Sequence, residues 1–513
     1  MTDPLASSEQ PTGSEQPTGS EQPTGSEQPT GARQPTGARP PTGSERRAGA
    51  GQPAAPAPVR PVHRPSTAAR PARGRDAETG VDTFTLRAAH VLDESGRFGD
   101  PVDVAVRAGV IRALGPGLPL EPDVVDVDAR GLWLMPGVVD CHAHVTQSTY
   151  DPFELVTTPL STRYLQTAEA LRASLRAGVT FLRDAGGADA GIRDALAAGT
   201  VPGPRMAVSV VALSRSGSHG DGAILGPGLE SADEVLGPNY PGRPARTAGA
   251  IGDLPTAVRG VLRAGADWVM IYASGGVMST RPGQPDLPFG QAELAAGVAE
   301  AARYGRPAMV HALGERAVQA AVAAGARSVE HGIGLGEGAA AAMVARGVTL
   351  VPTLAPYRDL AALASTGVLP GWAVERAEAA AAGLVETIAV ARAAGVPIAL
   401  GSDARHRTRH GGNLAEISHL RRAGLTPPEA LLAATATGAR LCGVGDRLGR
   451  IAVGYTFDTI VLDEEPGDLE LFERPDAVGG VFLGGRVVLA HPRLPAALTG
   501  SPRAATWAGP TST

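Results

Sequence analysis

Five polar residues close short apolar runs in this sequence, where a buried strand would emerge: His142 and His144 in MPGVVDCHAHV, His311 in MVHALG, His331 in VEHGIG and Asp403 in ALGSDA. In an H-x-H on a strand, side chains two apart share one face, so both imidazoles can hold the same metal. A third histidine and a carboxylate complete an N3O donor set. That set suits zinc and other borderline divalent ions and leaves room for a water. Taken singly, His311 or His331 could equally be a buried imidazole satisfied by backbone groups, and Asp403 could cap a following helix together with Ser402. The coincidence of several such strand ends favours one polar metal site. Cys141, between Asp140 and His142, should point away from both histidines and pack in the core.

Elements must bring these residues together. Apolar runs alternate with Ala-rich helical stretches: GVTFLRDAGG follows AEALRASLRA, DWVMIYASGG follows LPTAVRGVLRA, RPAMVHALG follows AELAAGVAEAARYG, and RSVEHGIG follows ERAVQAAVAAGA. VTLVPTLAP and VPIALGSDA continue the series. This alternation predicts parallel βαβ units. Six or more in about 300 residues fit an α/β fold closed as a (β/α)8 TIM-like barrel better than an open doubly wound sheet. In a barrel the carboxyl ends of the strands converge on one face, so residues distant in sequence meet there. Flanking runs of different texture, TFTLRAAHVL, PVDVAVRAGVIRAL and DVVDVDA before the barrel and DTIVLD and GGVFLGGRVVLAH after it, predict strands of one small β domain. The expected organisation is a tail over 1–80, a β-sandwich domain from 81–135 and 445–495, a barrel over 136–444 and a C-terminal tail over 496–513. Residues 8–43 repeat SEQPTG and its variants. With almost no apolar side chains to offset the entropy of ordering, the N-terminal tail is expected to be disordered.

Composition narrows the partners. A length of 513 residues with 43% hydrophobic residues can bury one large core and a satellite domain. The net charge of -6, without a long basic run in the folded part, argues against nucleic acid and for a small-molecule substrate. No charge-free apolar stretch reaches the roughly 18 residues of a membrane span, and the N-terminus shows no secretory signal. Two cysteines, Cys141 and Cys442, are too few for a disulfide framework. These features predict a cytoplasmic protein free of membrane and leave a homo-oligomer open.

At this point the residues resemble a family. PGVVDCHAH, RDAGG, SHGDG, ASGGVMS, VHALG, VEHG, GSDA and LGRIAVGYTFDTIVLD together resemble the amidohydrolase superfamily, within it the imidazolonepropionase-like and Xaa-Pro dipeptidase-like branch, over about residues 82–495. The resemblance implies His142 and His144 as first-strand ligands, His311 as the fifth-strand ligand, His331 as the sixth-strand histidine and Asp403 as the eighth-strand aspartate. It implies divalent metal, whose bound water is lowered toward a pKa of about 7 and so supplies hydroxide at neutral pH. Asp403 would then carry the proton to a leaving nitrogen, and His331 would polarise the scissile carbonyl or steady the water. His219 in the SGSHGDG loop, Tyr272, Tyr357 and Arg183 are the substrate-side candidates, Arg183 as partner of a carboxylate. An exposed histidine, core tyrosines and an ordinary salt bridge are their plain alternatives.

One departure from the family changes the metal count. Two-metal relatives place a lysine on the fourth strand, in a stretch like KIMASGG, and carboxylate it to bridge the ions. Here VMIYASGG puts Met270 at that position, and the chain contains no lysine at all. A lysine-carbamate bridge is therefore chemically excluded. The expectation becomes a mononuclear hydrolase of a C–N bond in an amide, cyclic amide or dipeptide. Two metals bridged by water alone, deamination of a cyclic substrate, and a weak or inactive barrel that serves binding are the alternatives.

Overall fold

Apolar runs of four to six residues, punctuated by Gly, Pro and Asp, form the strands of two kinds of sheet. The computed structural model describes residues 82–499 apart from 150, 152–153, 155–156, 217, 221–241, 245–252, 278, 280–286 and 363–370. The expectations for the N-terminal tail, and for the C-terminal tail beyond residue 499, lie outside the described residues. All described residues belong to one compact unit within 55–513.

The two ends of the described chain share one sheet. Strands β1 (Phe84–Val91), β2 (Val102–Arg107), β3 (Val110–Gly115), β4 (Val125–Asp128) and β5 (Trp133–Pro136) come before the interior. The strands β14 (Thr459–Leu462), β15 (Gly480–Leu483) and β16 (Arg486–Leu489) come after it. The order is β16-β15-β14-β5-β1-β2-β3, with β4 on β1. β14 joins the halves, pairing antiparallel with β5 from Thr459 opposite Pro136 to Leu462 opposite Trp133. Phe84, Phe457 and Phe482 meet edge-on or tilted at centroid distances of 5.1 to 5.5 Å and anchor its core. β14 thus ties segments from the two ends of the described chain into one sheet.

Between them, every recorded pairing is parallel. One sheet has β6 (Val138–Ala143), β7 (Val179–Asp184) and β8 (Arg205–Val208). The other has β9 (Ala212–Leu213), β10 (Val269–Tyr272), β11 (Ala308–Leu313), β12 (Ser328–Ile333) and β13 (Thr349–Val351). Helices separate most of these strands and are bounded by local signals. Asp253 caps the helix Leu254–Arg263 by accepting from the Thr256 amide, and left-handed Gly325 and Gly347 end Glu315–Ala324 and Glu337–Arg346. This is the α/β architecture that the alternation predicted.

VPIALGSDA departs from a regular strand. It bonds to both sheets, Ala399 N to Leu350 O and Cys141 N to Leu400 O, each at 2.9 Å, and bonding to the β6 segment continues through the left-handed Asp403 (φ 45°), whose N–H donates to His142 O at 2.7 Å. Gly401 is required here, because a Cβ would lie 2.8 Å from that of His142. At the other edge, the Asp267 and Trp268 amides donate to Val208 O. The two parallel sheets are thus linked by hydrogen bonds on both sides, through VPIALGSDA on one and through the residues just before β10 on the other.

Cys141, Phe181, Trp268, Met270, Met309 and Val351 belong to one buried apolar cluster among these strands. Met270 lies opposite Met309 in register, so the position expected for a lysine is part of this apolar floor. Cys141 packs there too, and it meets Cys442 at an Sγ–Sγ distance of 3.8 Å although 301 residues separate them. Among the described residues no helix is long and apolar enough to cross a membrane.

Candidate metal centre

His142 on β6 and His144, just past its end, have ring centroids 5.4 Å apart. His142 Nδ1 donates to Glu330 Oε2 at 2.7 Å. Its other nitrogen, Nε2, is buried without a hydrogen-bond partner and stands 3.7 Å from Asp403 Oδ1. His144 Nδ1 donates to the Gly186 carbonyl at 2.9 Å, and its Nε2 lies 3.5 Å from the same Asp403 oxygen. His331 is held through Nδ1 by Thr353 Oγ1 at 2.6 Å. One donor atom each from His142, His331 and Asp403 lie within 4.8 Å of one another. His311 donates from Nε2 to the Gly275 carbonyl at 3.0 Å, which leaves the lone pair on Nδ1, and its ring centroid is 4.6 Å from that of His331.

The backbone bends to make this cluster. Apart from glycine, left-handed residues are few, yet His331 (φ 64°), its partner Thr353 (φ 56°) and Asp403 (φ 45°) are among them. Such conformations persist only where surroundings over-determine them, and they gather at functional sites. At His331 the bend shifts the register with β11. Glu330 and His331, neighbours that a regular strand would turn to opposite faces, therefore both reach His142: Glu330 by its hydrogen bond and His331 by ring contact at 5.2 Å.

Electrostatics prepares the imidazoles for a cation. Burial, with the nearby Arg405 charge among the further causes, pushes His144 down to about 3 and His331 well below its ordinary value. Burial likewise brings His311 down to about 4. All three are neutral at pH 7, the form that ligates metals. Burial works to raise Asp403, but the charge of Arg405, which also bonds to it, outweighs this and keeps the carboxyl ionised. The fit to a divalent ion rests on the orphaned His142 Nε2, a lone pair that is stripped of water and faces a carboxylate.

A model of the amidohydrolase family matches residues 133–488. The chain belongs to this family. This amidohydrolase is 34% identical over 374 residues to ochratoxinase of Aspergillus niger, an alignment covering 69% of the chain and 75% of the relative. The crystal structure of that ochratoxinase superposes with a TM-score of 0.69 at 28% identity, covering 80% of the chain and 96% of the relative. A prolidase complexed with N-methylphosphonate-L-proline superposes with a TM-score of 0.72 at 32% identity, covering 79% and 99%. By this membership the protein is a hydrolase acting on carbon–nitrogen bonds.

The substrate-side candidates of this amidohydrolase divide. His219 stacks on His311 at 5.3 Å and 16°, and its Nδ1 lies 3.0 Å from Ser279 Oγ. Tyr272 stands edge-on to both, 5.0 Å from His311 and 5.1 Å from His219. Tyr357 stands edge-on to His331 at 5.9 Å. Arg183 is a correction. It is 0% exposed, with Nη2 2.9 Å from Glu330 Oε1, Nε 2.5 Å from the Cys141 carbonyl and its guanidinium over Trp268, so the carboxylate it pairs belongs to the protein itself. A group closed off in this way cannot receive a substrate.

Two residues went unnoticed in the sequence. Glu330 carried a signal, because a carboxylate inside the apolar run RSVEHGIG can be buried only if paired. Arg405, which bonds to Asp403, carried none, since a charged residue after a strand is ordinary. Supporting carboxylates complete the frame. Asp140 accepts from Ser402 Oγ at 2.5 Å and Asn413 Nδ2 at 2.9 Å. Glu416 accepts from the Leu354 and Ala355 amides at the start of the helix that carries Tyr357. Asp403 caps no helix, for the next one begins at Ala415.

Proposed function

We propose that this amidohydrolase cleaves the C–N bond of an amide, cyclic amide or dipeptide with one divalent ion, zinc by the nature of its donors, held by His142, His144, His311 and Asp403. The orphaned Nε2 of His142 carries this reading. The close grouping of His331 with His142 and Asp403 supports placing His331 beside the ion, in the carbonyl-polarising role expected of it. The hydrogen bonds that link the parallel sheets on both sides support their closure as a (β/α)8 barrel, with 81–135 and 445–495 as a β-sandwich domain beside it.

A divalent ion in this cluster supplies Lewis acidity, lowering the pKa of water toward about 7 and polarising a carbonyl. The remaining chemistry belongs to the side chains. Asp403 accepts the proton of the attacking water and returns it to the leaving nitrogen. His331 donates polarity to the scissile carbonyl. Glu330, clamped by Arg183, keeps His142 in one tautomer and one orientation. His219, Tyr272 and Tyr357 form an aromatic wall against the substrate. The relative named prolidase, bound to an N-phosphonylated proline, supports dipeptides and N-acyl amino acids as the first substrates to try.

Metal analysis of protein expressed with added zinc, followed by a panel of dipeptides, N-acyl amino acids and cyclic amides, tests the reading. One equivalent of metal and release of an amino acid are expected. Ammonia release would move the activity to deamination, and protein that stays folded without binding metal would overturn the proposal.

A further inference from the structure

Each of the two carboxylates around His142 is held by an arginine, but the two pairs differ in how firmly they are enclosed. Glu330 and Arg183 are both sealed, at 0% side-chain exposure. Asp403 is 2% exposed, whereas Arg405, two residues on, is 26% exposed. Its Nη2 lies 2.5 Å from Oδ1 and 2.6 Å from Oδ2, and its Nε lies 3.1 Å from Oδ1. Oδ1 is also the oxygen that faces Nε2 of His142 and of His144. The guanidinium therefore rests on the oxygen that the proposed ion would use.

We propose that Arg405 is an internal competitor of the divalent ion for Asp403, a positioning residue that sets metal affinity and turns outward at the strand ends when the ion binds. This inference rests on the metal reading above. Asp403 is the sole carboxylate among the five cluster residues, and Met270 removes the further anion that a carboxylated lysine would bring. Whatever occupies Asp403 therefore governs the anionic part of the donor set. A buried carboxylate also needs a counter-charge to stay ionised, and Arg405 provides one until an ion replaces it. The part-exposed stem of Arg405 has a route outward that the sealed Arg183 lacks.

The test is zinc affinity, measured by competition with a chromogenic chelator on stripped protein, for the unaltered chain, Arg405→Gln and Arg405→Lys. Removing a cation at this range should tighten zinc by about tenfold or more in Arg405→Gln. Arg405→Lys, which keeps the charge but loses the planar fork, should fall between. Circular dichroism verifies folding, and if the glutamine variant is unfolded the lysine variant decides. Affinity that is unchanged or weaker in a folded variant overturns the inference and leaves the metal reading intact. No zinc uptake by any of the three overturns both.

Discussion

Glu330 Oε2 accepts a hydrogen bond from His142 Nδ1 at 2.7 Å, and the same carboxylate takes Nη2 of Arg183. The chain Arg183–Glu330–His142 crosses β7, β12 and β6 and ends on the bare Nε2 that faces Asp403. The aim of one imidazole thus depends on two charges buried behind it.

Glu330→Gln should therefore damage both affinity and stability. Loss of the partner of a ligating histidine lowers metal affinity by roughly 10- to 100-fold. Leaving Arg183 buried beside a neutral amide destabilises the fold by about 3 kcal/mol or more. Zinc titration and urea melts read the two effects separately. A variant as stable and as tight as the parent would show that the chain of contacts is idle.

His142→Ala and Asp403→Asn should each reduce turnover by at least about 100-fold, the first by removing a proposed ligand and the second by removing the proposed proton carrier. Metal content distinguishes them, falling further in His142→Ala. Wild-type rates in either variant would place the active site elsewhere.

Met270→Lys asks whether the fold retains room for a second ion. In the apolar floor beside Met309 an ammonium is poorly tolerated, so the variant should melt below the parent when bicarbonate and metal are absent. With bicarbonate and excess zinc, carboxylation should raise metal content from one equivalent toward two. Content that stays at one would mean that the site has adapted around the thioether.

Chelator-stripped protein should lose stability as pH falls from about 6.5 to 4. Burial lowers His144 to about 3, and His311, His410 and His419 each to about 4, so the unfolded chain takes up these protons first. Each contributes a loss of roughly 1.4 kcal/mol per pH unit between its unfolded and folded values. Asp184, raised by burial to about 6, and Asp140, Asp359 and Glu416, also raised by burial, act in the opposite direction, but with His331 and His406 also lowered they are four carboxyls against six histidines. Melting temperature followed against pH checks the sign, and a flat profile down to pH 4 would contradict it.

The division between sequence and tertiary structure follows from the range of the forces. Period two on a strand is local, so MPGVVDCHAHV was enough to put His142 and His144 on one face, and the alternation of strand and helix was enough for the α/β class. Buried charge pairing is not local. Arg183 reads as available until Glu330, 147 residues later, is folded against it. The left-handed turn at His331 breaks the very periodicity from which its neighbour's direction would be inferred. Arg405 on Asp403 depends on the same kind of bend. The sequence by itself determined which residues could ligate, and the missing lysine excluded one bridge. Only the tertiary structure decided which arginine is sealed and which is poised over the site, because that choice rests on burial and backbone strain.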